Sequence, residues 1–153
     1  MNQITWVKKW VESHYDVVLD IIRIYLGIGL FFKGIYFLTH SGELARLIDG
    51  SGTLWALSAI VAHYVVVAHI VGGFCLALGL LTRAAALLQL PVLFGAVFYV
   101  HLPRIMSFGP RQDLEFAGLV LFLLALIGVY GAGRWSLDYY LERKSAEAAP
   151  SAA

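Results

Sequence analysis

The sequence predicts an all-α membrane protein, an up-and-down bundle of four transmembrane helices preceded by an interfacial amphipathic helix. Hydrophobic residues make up 60% of the 153 residues and charged residues only 14%, whereas about 25% of a soluble globular chain is charged. The chain also holds four apolar runs near the length of about 20 residues that crosses a bilayer core. Because the connections between the runs are short, neighbouring helices are expected to pack antiparallel.

The first 16 residues predict a short amphipathic helix that lies in the membrane interface. They lack the apolar core and the small-residue cleavage site of a signal peptide, so we expect this segment to stay attached. Apolar positions and His14 recur at helical spacing, opposite charged ones: Ile4, Val7, Trp10, Val11 and His14 against Lys8, Lys9 and Glu12.

Residues 17–141 predict a single membrane domain with four spans. Residues 142–153 predict a disordered cytoplasmic tail, because the stretch from Ser145 to Ala153 is small and polar and contains Pro150. The spans are expected at Val17–Leu38, Leu54–Leu81, Ala84–Leu102 and Leu114–Tyr130.

The distribution of basic residues predicts the orientation of the bundle. With the N-terminus inside the cell, six lysines and arginines fall on the cytoplasmic side and three on the other side. This bias favours a cell (inner) membrane protein with both termini in the cytoplasm. The cytoplasmic set is Lys8, Lys9, Arg83, Arg134, Arg143 and Lys144, and the outer set is Arg46, Arg104 and Arg111.

Several classes of function conflict with the sequence. The net charge of +1 and the lack of a basic block argue against nucleic acid as a partner. The single Cys75 allows neither a disulfide nor a CxxC pair within one chain. His63 and His69 point about 120° apart on a regular helix and cannot ligate one haem iron together. Zinc-site, P-loop and serine-nucleophile motifs are missing, so we expect no haem and no metal.

Arg23 lies inside the first apolar run, one turn after Asp20. An ionised side chain in a membrane span is costly unless it is paired, and it often marks function. We expect a structural ion pair of Arg23 with Asp20 rather than a substrate contact, with Gln89 at a similar depth. Polar residues at the cytoplasmic helix ends have the chemistry of caps and inter-loop ion pairs: Thr82, Arg83, Arg134 and Asp138.

The outer half of the bundle carries the side chains suited to a quinone head group, which needs hydrogen-bond donors and a proton route to water. The expected cofactor-binding residues are His63, Tyr64, Tyr99, Glu115 and Lys33, and the expected substrate-binding residues, which would attract an anion, are Arg104, Arg111 and His101. Each has a structural alternative. Tyr99 and His101 suit interfacial anchors, Glu115 a helix N-terminus, and His63 an interhelical hydrogen bond. Lys33 could snorkel to the interface or contact another subunit.

Three motifs resemble those of the DoxX family of small four-helix membrane proteins, and the resemblance extends from about Leu19 to Leu141. They are Arg23 with Leu26, Gly27 and Gly34, the connection GLLTRAA at residues 79–85, and the closing GAGRWSLD at residues 131–138. Family members often carry a lysine three residues after the glycine that corresponds to Gly34. Phe37 stands there in this chain, and a lysine occurs instead at Lys33.

The resemblance implies a membrane subunit of a quinone-linked oxidoreductase, because the family is named from a subunit of a thiosulfate:quinone oxidoreductase. It implies quinone as the cofactor, a small electron donor such as a sulfur oxyanion, and a soluble redox subunit or a second copy of the chain as partner. The alternative is a non-catalytic scaffold or lipid-binding module that recruits partners through the loop from Pro103 to Asp113.

Overall fold

A computed structural model describes residues 3–49, 55–103 and 111–148 of the chain, and the side chains of residues 16–48, 59–103 and 111–147. All regular elements in these ranges are helices. They are α1 (Gln3–Thr39), α2 (Ser41–Asp49), α3 (Trp55–Val67), a π-helical segment (Ala68–Gly72), α4 (Gly73–Leu78), α5 (Thr82–Gly95), a second π-helical segment (Ala96–His101), α6 (Gln112–Tyr130) and α7 (Leu137–Ala148).

Four helical stretches in the described residues are long and apolar enough to cross a membrane, which confirms the predicted all-α, four-span architecture. They are Asp16–Thr39, Ala59–Leu78, Thr82–His101 and Gln112–Tyr130. In the second and third spans an α-helix continues into a π-helical segment without a break. A π-helical turn is rare and occurs frequently at functional sites.

The two ends of the chain differ from the expected boundaries. Helix α1 runs without interruption from Gln3 through the predicted border at residue 16. The side chains of the first 15 residues lie outside the described set, so the amphipathic face stays a prediction. Helix α7 continues to Ala148, into the expected disordered tail, and Arg143 pairs with Glu147 at 3.0 Å. Such an i,i+4 pair supports an exposed helix.

The connection between the first two spans contains a helix, α2, that the sequence analysis did not predict. Its residues Leu44 and Ile48 are buried one turn apart, and they pack with Phe37 of α1 and Val65 of α3. This second apolar cluster closes the bundle at the end opposite to the chain termini. Helix α2 therefore covers the space between the first two spans.

The first and second spans approach each other closely at two glycines. A Cβ on Gly27 would lie 2.8 Å from the carbonyl oxygen of Gly73, and a Cβ on Gly73 would lie 2.9 Å from that of Gly27. Small residues permit this kind of backbone contact between membrane helices. The main core lies beside it and includes the fully buried Leu76 and Leu124.

We predict that Gly27→Ala lowers the free energy of unfolding by about 1–3 kcal/mol, the usual cost of overpacking a tight interface. Gly29→Ala is the matched control because no atom lies within 4 Å of a Cβ at that position. The control should be neutral or should stabilise the helix by up to about 1 kcal/mol. Unfolding of both purified variants in the same detergent measures the difference. Equal stability of the two variants would contradict the close approach.

Candidate functional site

Arg23 is the largest buried polar side chain, with 1% of its surface exposed, and Asp20 beside it is fully buried. The guanidinium Nη2 lies 3.0 Å from the Asp20 carboxylate. Its Nη1 donates to the carbonyl oxygens of Leu76 and Ala77, and its Nη2 also donates to that of Trp135, at 3.2 Å. One side chain of the first span therefore joins the end of the second span to the segment that follows the fourth.

The segment between α6 and α7 is shaped around this ion pair. Asp20 also accepts a hydrogen bond from the backbone N–H of Trp135 at 2.8 Å. A Cβ on Gly133 would lie 2.5 Å from the Asp20 carboxyl carbon, and a Cβ on Gly79 would lie 2.7 Å from Nη1 of Arg23. The glycines of the closing GAGRWSLD motif and of the GLLTR turn thus leave the space that the buried pair occupies.

Asp138 of α7 holds the turn between the second and third spans. Its carboxylate accepts hydrogen bonds from the backbone N–H groups of Leu81, at 2.7 Å, and Thr82, at 2.8 Å. These N–H groups open α5 and have no partner within that helix. Leu81 has a positive φ of 48°, a conformation that costs free energy for a residue with a side chain. Asp138 therefore caps α5 from another element.

Two arginines lie at the rim of this network. A Cβ on Gly131 would lie 3.0 Å from Nε of Arg83, so the Arg83 side chain packs against the backbone after α6. Arg134 pairs with Asp16 at 2.7 Å, with 68% of its side chain exposed. The two contacts join the segment after α6 to α5 and to α1.

Gln89 does not meet Arg23. Its amide Nε2 donates to the carbonyl of Ala68 at 2.8 Å, whereas Arg23 bonds to carbonyls eight and nine residues further along the second span. Equal depth was expected because Arg23 and Gln89 lie about equally far from the ends of their predicted spans. Helix α1 extends beyond its predicted border, so Arg23 instead lies level with the turn at residues 79–81.

The five residues expected to bind quinone do not form one bonded cluster: among the described residues, no hydrogen bond, ion pair or ring contact joins two of their side chains. Tyr64 donates to the carbonyl of Leu88 at 2.7 Å, and Lys33 lies 5.0 Å from the ring centre of Phe37. Tyr99 is 66% exposed. His63 and Glu115 are also exposed.

The three residues expected to bind an anionic substrate are likewise not gathered in one described site. Arg111 is exposed and His101 is partly buried. Arg104 lies outside the described residues.

His69 is the polar residue of the membrane interior that the sequence analysis considered only as a haem ligand. It lies in the π-helical segment and is 5% exposed. Its Nδ1 lies 2.8 Å from the carbonyl oxygen of Val65, and because a carbonyl only accepts, Nδ1 carries the proton. Among the described residues no hydrogen bond reaches Nε2. The position of His69 near the middle of the second apolar run was the available signal.

The His69 ring packs edge-on against Phe37, with ring centres 5.6 Å apart. The absence of a side chain at Gly34 makes room for it, since a Cβ there would lie 2.9 Å from Cβ of His69. Beyond Phe37, the Lys33 ammonium lies within about 5.4 Å of the Tyr36 ring centre. The Tyr36 hydroxyl donates to Glu43 of α2.

This arrangement, which we name the outer array, connects a buried imidazole to exposed ionisable groups. It consists of His69, Phe37, Lys33, Tyr36 and Glu43. In the neutral form the imidazole Nε2 accepts a hydrogen bond or a proton, and in the protonated form it donates one. Within the described residues, no group of three or more His, Cys, Asp and Glu side chains could hold a metal ion.

We predict that Arg23→Ala lowers the free energy of unfolding by about 3–5 kcal/mol, because it leaves the Asp20 carboxylate buried and unpaired. Arg134→Ala, which breaks an exposed pair, should lower it by only about 0.2–1 kcal/mol. Both are measured by unfolding in the same detergent. An Arg23→Ala protein that keeps full stability but loses ligand binding would assign Arg23 to function instead.

One comparison with known proteins found a match, which covers the first three spans. The family model described as DoxX matches residues 18–102, the part of the chain that holds Arg23, His69, Gln89 and the turn at residues 79–81. No curated protein and no solved structure matches the chain. Because the family match covers more than half of its length, the protein is a multi-pass membrane protein that belongs to the DoxX family.

Proposed function

We propose that the protein is a quinone-binding membrane subunit of an oxidoreductase, in which His69 forms the hydrogen bond to the quinone head group. The observation that carries the proposal is the buried imidazole in a π-helical turn, whose hydrogen bond within the described residues runs through Nδ1 to Val65. Burial of a polar group in a membrane span costs free energy, so such a group often has a functional role. A quinone head group is an apolar ring with oxygen substituents, and His69 and Phe37 offer a hydrogen-bonding group beside an aromatic ring.

A bound quinone would supply two-electron redox chemistry, in which two protons are taken up as the quinol forms. Protonated His69 donates to a quinone oxygen, and neutral His69 accepts from a quinol hydroxyl. The hydrogen bond from Nδ1 to Val65 holds the ring orientation and leaves Nε2 available in both states. His69 is thereby suited to general acid and base catalysis.

Lys33, one of the residues expected from the sequence to bind quinone, supplies a positive charge near the head group in this proposal. Its ammonium lies over the Phe37 ring that separates it from His69. A fixed positive charge near the head group stabilises negative charge that develops on an oxygen during reduction. Tyr36, whose ring lies near this cation, donates to the exposed Glu43, and in this proposal the two groups provide a route for protons to water.

In this proposal the electrons that reduce the quinone come from a separate donor. We assign them to a small donor such as a sulfur oxyanion, delivered directly or through a soluble redox subunit. Arg111, together with Arg104, would raise the local concentration of an anionic donor at the outer surface.

We predict that His69→Leu weakens binding of a soluble short-chain quinone by about tenfold or more, since a lost hydrogen bond to a buried group costs about 1–3 kcal/mol. His63→Leu is the matched control. His63 also bonds through Nδ1 to the carbonyl four residues earlier, at 2.8 Å, but its side chain is exposed. The control should bind the quinone like the unchanged protein, as measured by titration calorimetry in lipid nanodiscs.

Three results would contradict the proposal. They are equal binding by the two variants, failure of the unchanged protein to bind quinone, and absence of quinone from protein purified from quinone-replete membranes. Any of these would favour the scaffold function. Co-purification of a soluble partner, lost when the Pro103–Asp113 loop is replaced, would then test that function directly.

We also propose that the protein lies in the inner membrane with both termini in the cytoplasm, because the basic residues favour that orientation. A C-terminal green fluorescent protein fusion should fluoresce, and a C-terminal alkaline phosphatase fusion should be inactive. The opposite pair of results would invert the bundle and place the outer array on the cytoplasmic side.

A further inference from the structure

Helix α5 contains two buried polar atoms that have no hydrogen-bond partner within the described structure. They are Oε1 of Gln89 and Oγ1 of Thr82, and their residues are 0% and 1% exposed. A buried acceptor without a partner carries its full desolvation penalty. Protein interiors nearly always satisfy such groups, with ordered water where the protein offers nothing.

The orientation of the Gln89 amide follows from its surroundings. Its Nε2 donates to the Ala68 carbonyl at 2.8 Å. If the amide were reversed, the Gln89 side-chain oxygen would face the Ala68 carbonyl oxygen, and the N–H donors of Gln89 would have no partner. The unpartnered atom is therefore an acceptor, and only a donor can satisfy it.

The two atoms lie on one face of α5. Residues seven apart on an α-helix differ by about 20° in direction and by about 10 Å along the axis. Between them the same face carries the buried Ala85 and Ala86, whose methyl groups fill little space. Opposite Gln89 stands Gly72, where a Cβ would lie 3.2 Å from Nε2. Small residues thus lie opposite Gln89 and between Thr82 and Gln89 along α5.

We name this face of α5, from Thr82 to Gln89, the seam. It begins at the turn between the second and third spans: Thr82 is the first residue of α5, and its neighbour Leu81 in the turn is 65% exposed. At the other end of the seam, Gln89 is bonded to the π-helical segment next to His69.

We propose that the seam between Thr82 and Gln89 binds O–H donors, and that Gln89 Oε1 accepts a hydrogen bond from one of them. The donor is internal water that enters at the turn, or the hydroxyl of a bound quinol. The second source rests on the function proposed above, whereas the first does not.

Water-edited solid-state NMR of the full chain in lipid bilayers tests the proposal. With ¹³C-labelled glutamine and leucine, the side-chain carbonyl of Gln89 is assigned by its loss in Gln89→Met. We expect magnetisation from water to reach this carbonyl nearly as fast as the exposed Gln112. Leu124, which is fully buried in the apolar core, should respond much more slowly.

Two variants of Thr82 locate the entry. Thr82→Val removes the hydroxyl at nearly constant volume and should slow the transfer to Gln89, whereas Thr82→Ser keeps the hydroxyl and should leave the transfer unchanged. A Thr82→Val protein with unchanged transfer would contradict entry at the turn. Should Thr82→Val fold poorly, the comparison of Gln89 with Leu124 in the unchanged protein still decides the proposal.

The second arm adds a short-chain quinol. A shift of the Gln89 carbonyl resonance with reduced transfer from water would identify the quinol as donor, and fast transfer without a shift would identify water. Transfer as slow as that to Leu124 together with no shift would overturn the seam proposal. Loss of quinone binding in His69→Leu would be unaffected by that result, so the two proposals fail separately.

Discussion

The burial of the Arg23 guanidinium constrains the whole inner end of the bundle. A cation at that depth is tolerated only when its donors are satisfied, and Arg23 is satisfied by Asp20, by two carbonyls of the second span and by Trp135. The glycines at residues 79 and 133 keep that space open. Because α7 starts just after this segment, Asp138 is brought to the turn that opens α5.

The two halves of the bundle hold their polar groups differently. In the half that carries α7, Arg23 pairs with Asp20 and Asp138 binds backbone N–H groups, whereas the Thr82 hydroxyl has no partner among the described residues. In the half that carries α2, His69 and the side chains around Lys33 are held by packing against rings and by single hydrogen bonds. Groups held in this way keep hydrogen-bonding capacity, which the proposed quinone site requires.

The π-helical segment of the second span connects the two halves. It carries His69 on the side of α1 and offers the Ala68 carbonyl to Gln89 on the side of α5. One irregular turn therefore serves both neighbouring spans. Helix α2 covers the outer end of this region with Leu44 and Ile48, so the interior near His69 is closed from that side by an element that is itself amphipathic.

The sequence by itself determined the membrane class, the number of spans and the family, because apolar run length, charge content and local motifs are properties of contiguous residues. It also paired Arg23 with Asp20, which lie one turn apart. Only the tertiary structure decided which polar residues meet across helices. Gln89 bonds to the second span instead of lying level with Arg23, His69 rather than His63 is buried, and Trp135 closes the network around Asp20. These contacts depend on how deep each helix lies, on its rotation about its own axis and on a π-helical turn. The contacts change when a helix begins a few residues before its apolar run.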